Sequence, residues 1–454
     1  MSQLQPTIEA TNRPTGMLGF TIVWIGQLVS MFGTAMTNFA LTIWAWQITG
    51  QATALALVAF FSFVPALLVT PLAGALVDRW SRKFVMMLSD LAAVLSTVVV
   101  LILYSTGNLQ IWHLYVTGAF SGTFGAFQFP AYSAAVTTMV SKKQYGRASG
   151  MLSSAQFASG IFAPSLAALF LISIGVTGIL TIDVVTFLVA IGALLTVHVP
   201  QPVTTLEGQK GRGSLWTESI YGFRYISART SLLALLLIFF CVNLILPFAF
   251  TVLAPMILSR TGNSAAILGM VQSTIGVSGM AGSVVLSVWG GPKRRIHGIL
   301  LGMLLFTMGM LFLGLGQTPA LWIIAAFFTF FSLPIINGSS QAIWQSKVAP
   351  DVQGRVFAAR SIIAQIGIPV SMLLAGPFAD NIFGPAMMPG GSLAELFGWL
   401  VGTGPGAGIS LMFVFVGALG MLIALGSYAI PVVRNLEDIL PDHTPDSELS
   451  SQKA

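Results

Sequence analysis

The sequence predicts an all-α integral membrane protein in which twelve transmembrane helices form two pseudo-symmetric six-helix bundles. Three observations lead to this prediction: the composition, the placement of the charged residues, and loop residues of the first half that recur in the second half. Of 454 residues, 55% are hydrophobic and only 7% are charged, whereas soluble domains carry about 25% charged residues. A spanning helix needs about 20 mainly apolar residues, because in hydrocarbon each backbone N–H and C=O must be paired within the segment. The chain has room for many such helices.

Apolar segments separated by short polar loops predict where the spans lie. We expect spans at 19–44, 53–77, 84–104, 111–139, 149–172, 176–199, 231–258, 264–289, 298–316, 319–346, 356–382 and 403–432. The corresponding domains are a cytoplasmic N-terminal segment (1–18), a first bundle (19–199), a cytoplasmic linker (200–230), a second bundle (231–432) and a cytoplasmic acidic tail (433–454). We expect no signal peptide at the N-terminus, which lacks a short apolar core and cleavage site.

Two of the polar segments have a predicted character of their own. In the linker, Trp216, Ile220 and Phe223 follow a spacing of four and then three, which indicates a short amphipathic helix at the membrane surface. A plain connector is compatible with that interpretation. The tail after Arg434 is acidic, and its composition predicts disorder.

The basic residues of the loops predict the orientation of the chain. With an even number of spans, both termini lie on one side of the membrane. Nearly all loop Lys and Arg residues fall on that side, and Arg260 alone lies clearly in an opposite loop. Because basic residues near helix ends favour the cytoplasmic side, both termini are predicted to be cytoplasmic in a multi-pass cell membrane protein.

The second half of the chain echoes the first. Val140, Gly146 and Arg147 recur as valine, glycine and arginine 208 positions later, at the matching place in the span order. Arg82-Lys83 recurs as Arg294-Arg295 at an offset of 212. Equivalent loops on the same side predict two halves of like topology.

The loop between spans two and three carries the most specific motif. Residues 74–83 read Gly-Ala-Leu-Val-Asp-Arg-Trp-Ser-Arg-Lys. This resembles the G-x-L-x-D-R-x-G-R-K signature of the major facilitator superfamily, with Ser81 where glycine is usual. The paired Gly-Arg loops, the stretch 222–225 and the glycine-rich run 402–408 resemble the macrolide-efflux-like branch of drug exporters. Span five departs from the glycine-proline signature of proton-coupled antiporters, since small residues surround Pro164.

The resemblance implies a gate on the cytoplasmic side. In that family the aspartate, here Asp78, latches onto the N-terminus of span eleven, where the helix dipole is partly positive. We expect Arg360, just inside span eleven, to pair with Asp78, and Gly74 to allow close helix packing. The alternative is that the basic residues only set topology. In the echo, Gly290 stands where the acid would align. The predicted gate residues are Gly74, Asp78, Arg79, Arg82, Lys83, Gly146, Arg147, Gly354, Arg355 and Arg360.

The resemblance also places spans one, four, seven and ten around a central cavity. Their polar residues are few, and several recur at helical spacing. Because an amide in hydrocarbon is costly without a partner, we expect them to face one another or a wet cavity. The alternative is bonding between helices. The predicted cavity residues are Gln27, Thr34, Asn38, Gln128, Tyr132, Asn243, Asn337, Gln341 and Trp344. This uncharged, amide-lined and aromatic set favours a lipophilic or amphipathic substrate.

Two carboxylates lie within spans, Asp90 in span three and Asp183 in span six. A buried carboxylate can carry a proton through a transport cycle, so both are candidates for proton coupling. The resemblance implies that these spans are peripheral to the cavity, so the alternative is that the carboxylates bond Ser89, Thr186 or neighbouring backbone.

The sequence predicts a secondary active exporter driven by the proton gradient. A Gly-x-x-x-x-Gly-Lys phosphate loop is absent, which disfavours ATP as the energy source. Scattered histidines and the absence of a G-x-S-x-G turn argue against an enzyme. We expect no cofactor, metal or nucleic acid, a small-molecule substrate, contact with membrane lipid, and a monomer. The alternatives are a siderophore or lysophospholipid transporter of the same fold, or a non-transporting membrane scaffold.

Overall fold

A computed structural model describes residues 14–77, 80–141, 144–200, 224–348 and 353–440. All twelve predicted spans form helices in it. The helices are Gly16–Thr49, Ala52–Val77, Arg82–Ser105, Ile111–Met139, Tyr145–Ser173, Gly175–Thr196, Thr230–Thr251 with Leu253–Arg260, Ala265–Trp289, Arg295–Leu315, Pro319–Phe331 with Leu333–Lys347, Gln353–Pro377 with a π-helical continuation Phe378–Phe383, and Ala407–Ala429. We number these spans one to twelve.

The described helices have the length and surface of membrane-spanning segments. Eleven are long and apolar enough to cross a bilayer. Span four, the remaining one, is a 29-residue helix rich in Gly, Ser and Thr. Large apolar side chains point outward, including Ile172 at 80% exposure and Val288 at 86%. Such an apolar exterior suits a lipid environment.

Three spans of the second half are interrupted. Span ten breaks at Ser332, two residues before Pro334, and proline cannot donate to the helical ladder. Span seven breaks at Val252, and span eleven passes into its π-helical turn after Pro377. Broken spans at membrane depth are tolerated where the protein satisfies the freed backbone groups. The pattern of apolar segments predicted neither the break in span seven nor the break in span ten.

The described residues group into two compact units. The first contains those of Met1–Asn38, Phe61–Ser159 and Phe170–Val203. The second contains those of Phe39–Phe60, Gly160–Leu169 and Thr204–Ala454. The last turns of span one, the start of span two and part of span five therefore pack with the second half of the sequence. The predicted linker helix at Trp216, Ile220 and Phe223 lies outside the described residues.

The acidic tail begins with ordered structure, so the prediction of disorder from Arg434 onward is wrong up to residue 440. Leu436–Ile439 forms a short helix, and Leu436 is fully buried. A Glu437 carboxylate oxygen accepts the N–H of Ile296 at 3.0 Å, in the first turn of span nine, where the helix dipole favours an anion. Asp438 pairs with Arg294 at 3.3 Å. Acidic composition predicted a solvated chain, whereas these acids cap the end of a helix.

Small residues let spans nine and twelve pack closely. A Cβ placed on Gly417 would lie 2.6 Å from the backbone nitrogen of Leu311, and one on Gly314 would lie 2.5 Å from the carbonyl oxygen of Ser410. Between membrane helices, close packing replaces the hydrophobic effect as the source of stability. The glycines therefore set the distance between these two spans.

We expect Gly417→Ala to lower the melting temperature of the purified protein by several degrees, because overpacking a tight contact costs about 1–3 kcal/mol. Thermal unfolding in detergent, followed by tryptophan fluorescence, measures the effect. Gly426→Ala is the matched control, since it lies in the same helix with no neighbouring atom within 4 Å of the added methyl. Equal melting temperatures for the two variants would contradict the packing argument.

Candidate functional site

A buried carboxylate joins three spans of the first unit. Asp90 in span three is 4% exposed. Its Oδ2 accepts from Gln27 Nε2 of span one at 2.9 Å, and its Oδ1 accepts from Gln128 Nε2 of span four at 3.0 Å. Gln128 Nε2 also donates to Gln27 Oε1 at 2.8 Å, which closes a triangle. The sequence named all three residues but placed Asp90 apart from the other two.

The triangle leaves one acceptor unused. Among the described residues, Gln128 Oε1 and the hydroxyl of Tyr132, one turn further along span four, are buried without a hydrogen-bond partner. Tyr132 packs against Phe20, with ring centroids 6.4 Å apart. Buried polar atoms without partners are uncommon and costly. The cluster of Gln27, Asp90, Gln128 and Tyr132 therefore has capacity for a further proton or donor.

The second carboxylate, Asp183 of span six, has hydroxyl neighbours. It is 1% exposed, and it accepts from Thr97 Oγ1 at 3.0 Å and from Thr34 Oγ1 at 3.4 Å. Span one approaches closely through Gly33, where a Cβ would lie 2.8 Å from Asp183 Oδ1. The sequence analysis did not name Thr97 or Gly33. Thr97 lies seven residues after Asp90, so helical spacing on span three was an available signal.

The alternative partners proposed from sequence for these carboxylates are wrong. The Ser89 hydroxyl donates to the carbonyl of Phe124 at 2.8 Å. The Thr186 hydroxyl donates to the backbone carbonyl of Asp183 at 2.7 Å, not to its side chain. Both carboxylates instead receive donors from other spans, because each points toward the interior of the first unit.

In the second unit, Asn243 and Asn337 line one small cavity of about 80 Å³. Its other walls are mainly apolar and come from spans seven, nine and ten: Phe239, Val242, Met303, Phe306, Thr307, Leu333 and Ile336. The break in span ten at Ser332 lies next to this wall. Of the predicted cavity residues, Asn38 is exposed on span one.

Gln341 and Trp344 of span ten contact a cation, the guanidinium of Arg360. Arg360 Nη1 donates to Gln341 Oε1 at 3.1 Å, and its Nη2 donates to Ser340 Oγ at 3.0 Å. The guanidinium carbon lies 5.1 Å from the ring centroid of Trp344, within the range of a cation–π contact. A cation therefore lies beside two of the predicted cavity residues.

The predicted gate is described only in part. Asp78 and Arg79 lie outside the described residues, as do the side-chain surroundings of Gly74, Gly146, Gly354 and Arg355. The expected pairing of Asp78 with Arg360 is thus untested. Arg82 opens span three, and Arg147 is exposed near the start of span five.

Other residues around the loop have structural roles. Lys83 Nζ donates to the carbonyls of Val197 at 2.8 Å and Leu195 at 3.2 Å, which are unpaired at the end of span six. Ser81 caps span three by accepting the N–H of Phe84 at 3.1 Å, which explains serine in place of the usual glycine. Gly290 ends span eight with φ of 78°, a left-handed conformation that favours glycine over an acid.

The arrangement of twelve spans with buried polar clusters defines a membrane transporter. A model of the Major Facilitator Superfamily matches residues 23–372, and the chain belongs to this family of transporters, which are not enzymes. The resemblance seen in the motif at 74–83 is thereby confirmed, and the protein is a multi-pass membrane protein.

Several curated relatives are named as drug efflux proteins. The chain is 26% identical over 373 residues to macrolide efflux protein A of Streptococcus pyogenes, covering 80% of this chain and 90% of that protein. It is 25% identical over 381 residues to the multidrug efflux pump Tap of Mycolicibacterium fortuitum, covering 82% and 91%. The predicted resemblance to the macrolide-efflux-like branch is confirmed.

A solved structure shows the same fold. A bacterial homolog of the human lysosomal transporter Spinster, in an inward-facing and unoccupied conformation, aligns with a TM-score of 0.67 and 17% identity. The alignment covers 95% of this chain and all of that one. The likeness establishes the architecture of twelve transmembrane helices in two six-helix bundles.

We expect Gln27→Leu and Gln128→Leu to be strongly non-additive in their effect on unfolding free energy, with a coupling of about 1 kcal/mol, because each removal already breaks the triangle around Asp90. Unfolding in detergent by increasing denaturant, for both single variants and the double variant, measures the coupling. Gln27→Leu combined with Gln365→Leu is the control, since Gln365 lies in the second unit and donates to Ser361 of its own helix at 2.6 Å. Additivity in both pairs would contradict the network.

Proposed function

We propose that this protein exports a lipophilic or amphipathic small molecule of the macrolide type, driven by the proton gradient through alternating access. The buried carboxylate of Asp90, held by Gln27 and Gln128 from two other spans, is the observation that carries the proposal. Membership of a transporter family and the efflux activity named for the relatives support it.

The proposed orientation places both termini in the cytoplasm. The basic loops support it, because Lys and Arg near helix ends favour that side. Residues 19–199 and 231–432 then form the two moving halves, joined by the linker 200–230, and the protein acts as a monomer. The recurrence of Gly-Arg at an offset of 208 supports this division, since related halves rocking about a central site are a common transporter design.

The chemistry of the second-unit cavity supports an apolar substrate. Its walls are aromatic and aliphatic, with the amides of Asn243 and Asn337 as the main hydrogen-bonding groups. Binding sites of this composition take a largely apolar ligand and fix its orientation with a few polar contacts. The cavity would receive one apolar group of a larger molecule.

Asp90 is the favoured proton carrier of the two carboxylates. Its two carboxylate oxygens accept from two amide N–H groups, a pattern that suits the ionised form. A protonated Asp90 needs an acceptor nearby, and the unpaired Oε1 of Gln128 supplies one after rotation of the amide. Because Gln27 and Gln128 lie in spans one and four, protonation of Asp90 would change its hydrogen bonds to both of these spans. Asp183 lies against hydroxyls that both donate and accept, so its protonation disturbs its neighbours less.

Asp90→Asn should reduce export driven by a pH gradient at least tenfold, because an amide of the same size cannot carry the proton. Everted membrane vesicles, energised to acidify their lumen and supplied with a labelled macrolide, measure uptake with and without a protonophore. Asp183→Asn should have a smaller effect. Glu395→Gln is the matched control, since Glu395 is exposed in the short helix Ala394–Val401 that precedes span twelve.

The outcome also separates the alternatives. Full pH-driven transport by Asp90→Asn would remove Asp90 from the mechanism. Uptake of a siderophore or lysophospholipid, and not of a macrolide, would reassign the substrate. No protonophore-sensitive uptake of any of the three would favour a membrane scaffold.

We also propose that Asp78 and the start of span eleven form the cytoplasmic latch, with Arg360 as its charged partner. The motif at 74–83 supports this proposal, as does the position of Arg360 near the start of span eleven. The guanidinium of Arg360 is held there by Ser340 and Gln341 of span ten. The proposal predicts that Asp78→Arg abolishes export and that Asp78→Arg with Arg360→Asp restores part of it. The vesicle assay measures both, and a double variant as inactive as the single one would contradict the pairing.

A further inference from the structure

Span eleven carries a carboxylate at its far end that caps a distant helix. Asp380 lies in the π-helical turn Phe378–Phe383. Its Oδ1 accepts the N–H of Ala52 at 3.0 Å, and its Oδ2 accepts the N–H of Thr53 at 2.7 Å. The Thr53 hydroxyl donates to Oδ2 at 2.6 Å. All three residues belong to the second compact unit.

These donors are the first ones of span two, which begins at Ala52. The first N–H groups of a helix have no partner within the helix, and they carry its partial positive charge. A neighbouring Ser, Asp or Asn side chain usually satisfies them. Here the acceptor is 327 or 328 residues away in the sequence. Hydrogen bonds to a charged group are about twice as strong as neutral ones, so the contact is a firm one.

The backbones of the two spans also meet one turn from Asp380. A Cβ on Gly376 would lie 2.3 Å from the Cα of Thr53 and 3.1 Å from the Cβ of Ala56. Ala56 is 1% exposed. The absence of a side chain at Gly376 thus allows spans two and eleven to touch where the carboxylate bonds.

A second polar contact joins the two halves of the sequence on the same side. Trp46 Nε1, in the last turn of span one, donates to Asn263 Oδ1 at 2.8 Å. Asn263 lies between spans seven and eight, and its φ of 68° shows that this loop holds a conformation rare outside glycine. Both contacts lie at the ends of their spans opposite the basic loops.

We propose that Asp380 is the latch of the side opposite the basic loops, holding spans two and eleven together until the transport cycle parts them. The inference rests on the proposed function, because only alternating access requires this side to open. With this latch, spans two and eleven would be joined by an equivalent contact at each of their two ends. At one end the motif implies that an acid after span two meets the start of span eleven. At the other end an acid of span eleven meets the start of span two.

The test uses the full-length protein with Cys241, its only cysteine, replaced by serine and with Ala56→Cys as reporter. A membrane-impermeant maleimide, added from the side opposite the basic loops, reacts with position 56 only when spans two and eleven part. Asp380→Asn should raise the labelling rate about tenfold, because it removes the charge and sets an amide N–H against the backbone donors. Thr53→Val removes one donor and should raise the rate by a smaller factor.

Glu395→Gln is the matched control for charge on the same side, and it should leave the labelling rate unchanged. Size-exclusion profiles confirm that each variant is folded. Equal rates in the parent, Asp380→Asn and Thr53→Val would overturn the latch. Labelling needs no substrate, so the two proposals fail separately. Loss of macrolide uptake in the parent contradicts the proposed function, whereas unchanged labelling beside normal uptake contradicts the latch alone.

Discussion

A polar group inside the hydrocarbon of a membrane has no water to bond, and this constraint decides which contacts hold the protein together. Three acids within or at the end of a span, two of them buried, are met by donors from other spans. Asp90 receives two amides, Asp183 receives two hydroxyls, and Asp380 receives the unpaired start of a helix. The same rule explains Lys83, whose ammonium group takes the last carbonyls of span six. These charges connect elements that the sequence keeps far apart.

Between these polar connections, shape decides how the helices fit. Lipid tails are as apolar as leucine, so burying leucine against another helix gains little, and close backbone contact matters more. Gly417 meets the backbone of Leu311, Gly376 meets Thr53, and a Cβ placed on Gly276 would lie 2.7 Å from the carbonyl carbon of Gly160. Glycines at these contacts remove the side chains that would separate the helices. Some of the 47 glycines of the chain therefore lie where two spans are in close contact.

The positions of the spans could be predicted from the sequence more accurately than the side-chain contacts between them. Length and hydropathy were sufficient for the spans, since a bilayer imposes a minimum length on any helix that crosses it. Helical spacing placed polar residues on one face of a span, but it cannot say which neighbour that face meets. Gln27 and Gln128 were therefore named without Asp90 between them, and Gln341 without Arg360. Local departures, such as the break at Ser332 and the π-helical turn after Pro377, depend on tertiary contacts that proline positions alone do not specify.

The ordered start of the tail contacts two membrane spans that precede it in the sequence. Glu437 caps span nine, while its backbone carbonyl accepts from Lys347 Nζ at 3.1 Å at the end of span ten. One residue beyond the last span, Glu437, thus connects two other spans. A stop codon before Leu436 would remove every one of these bonds without touching a membrane helix. The residues that follow span twelve are in this respect part of how spans nine and ten are joined.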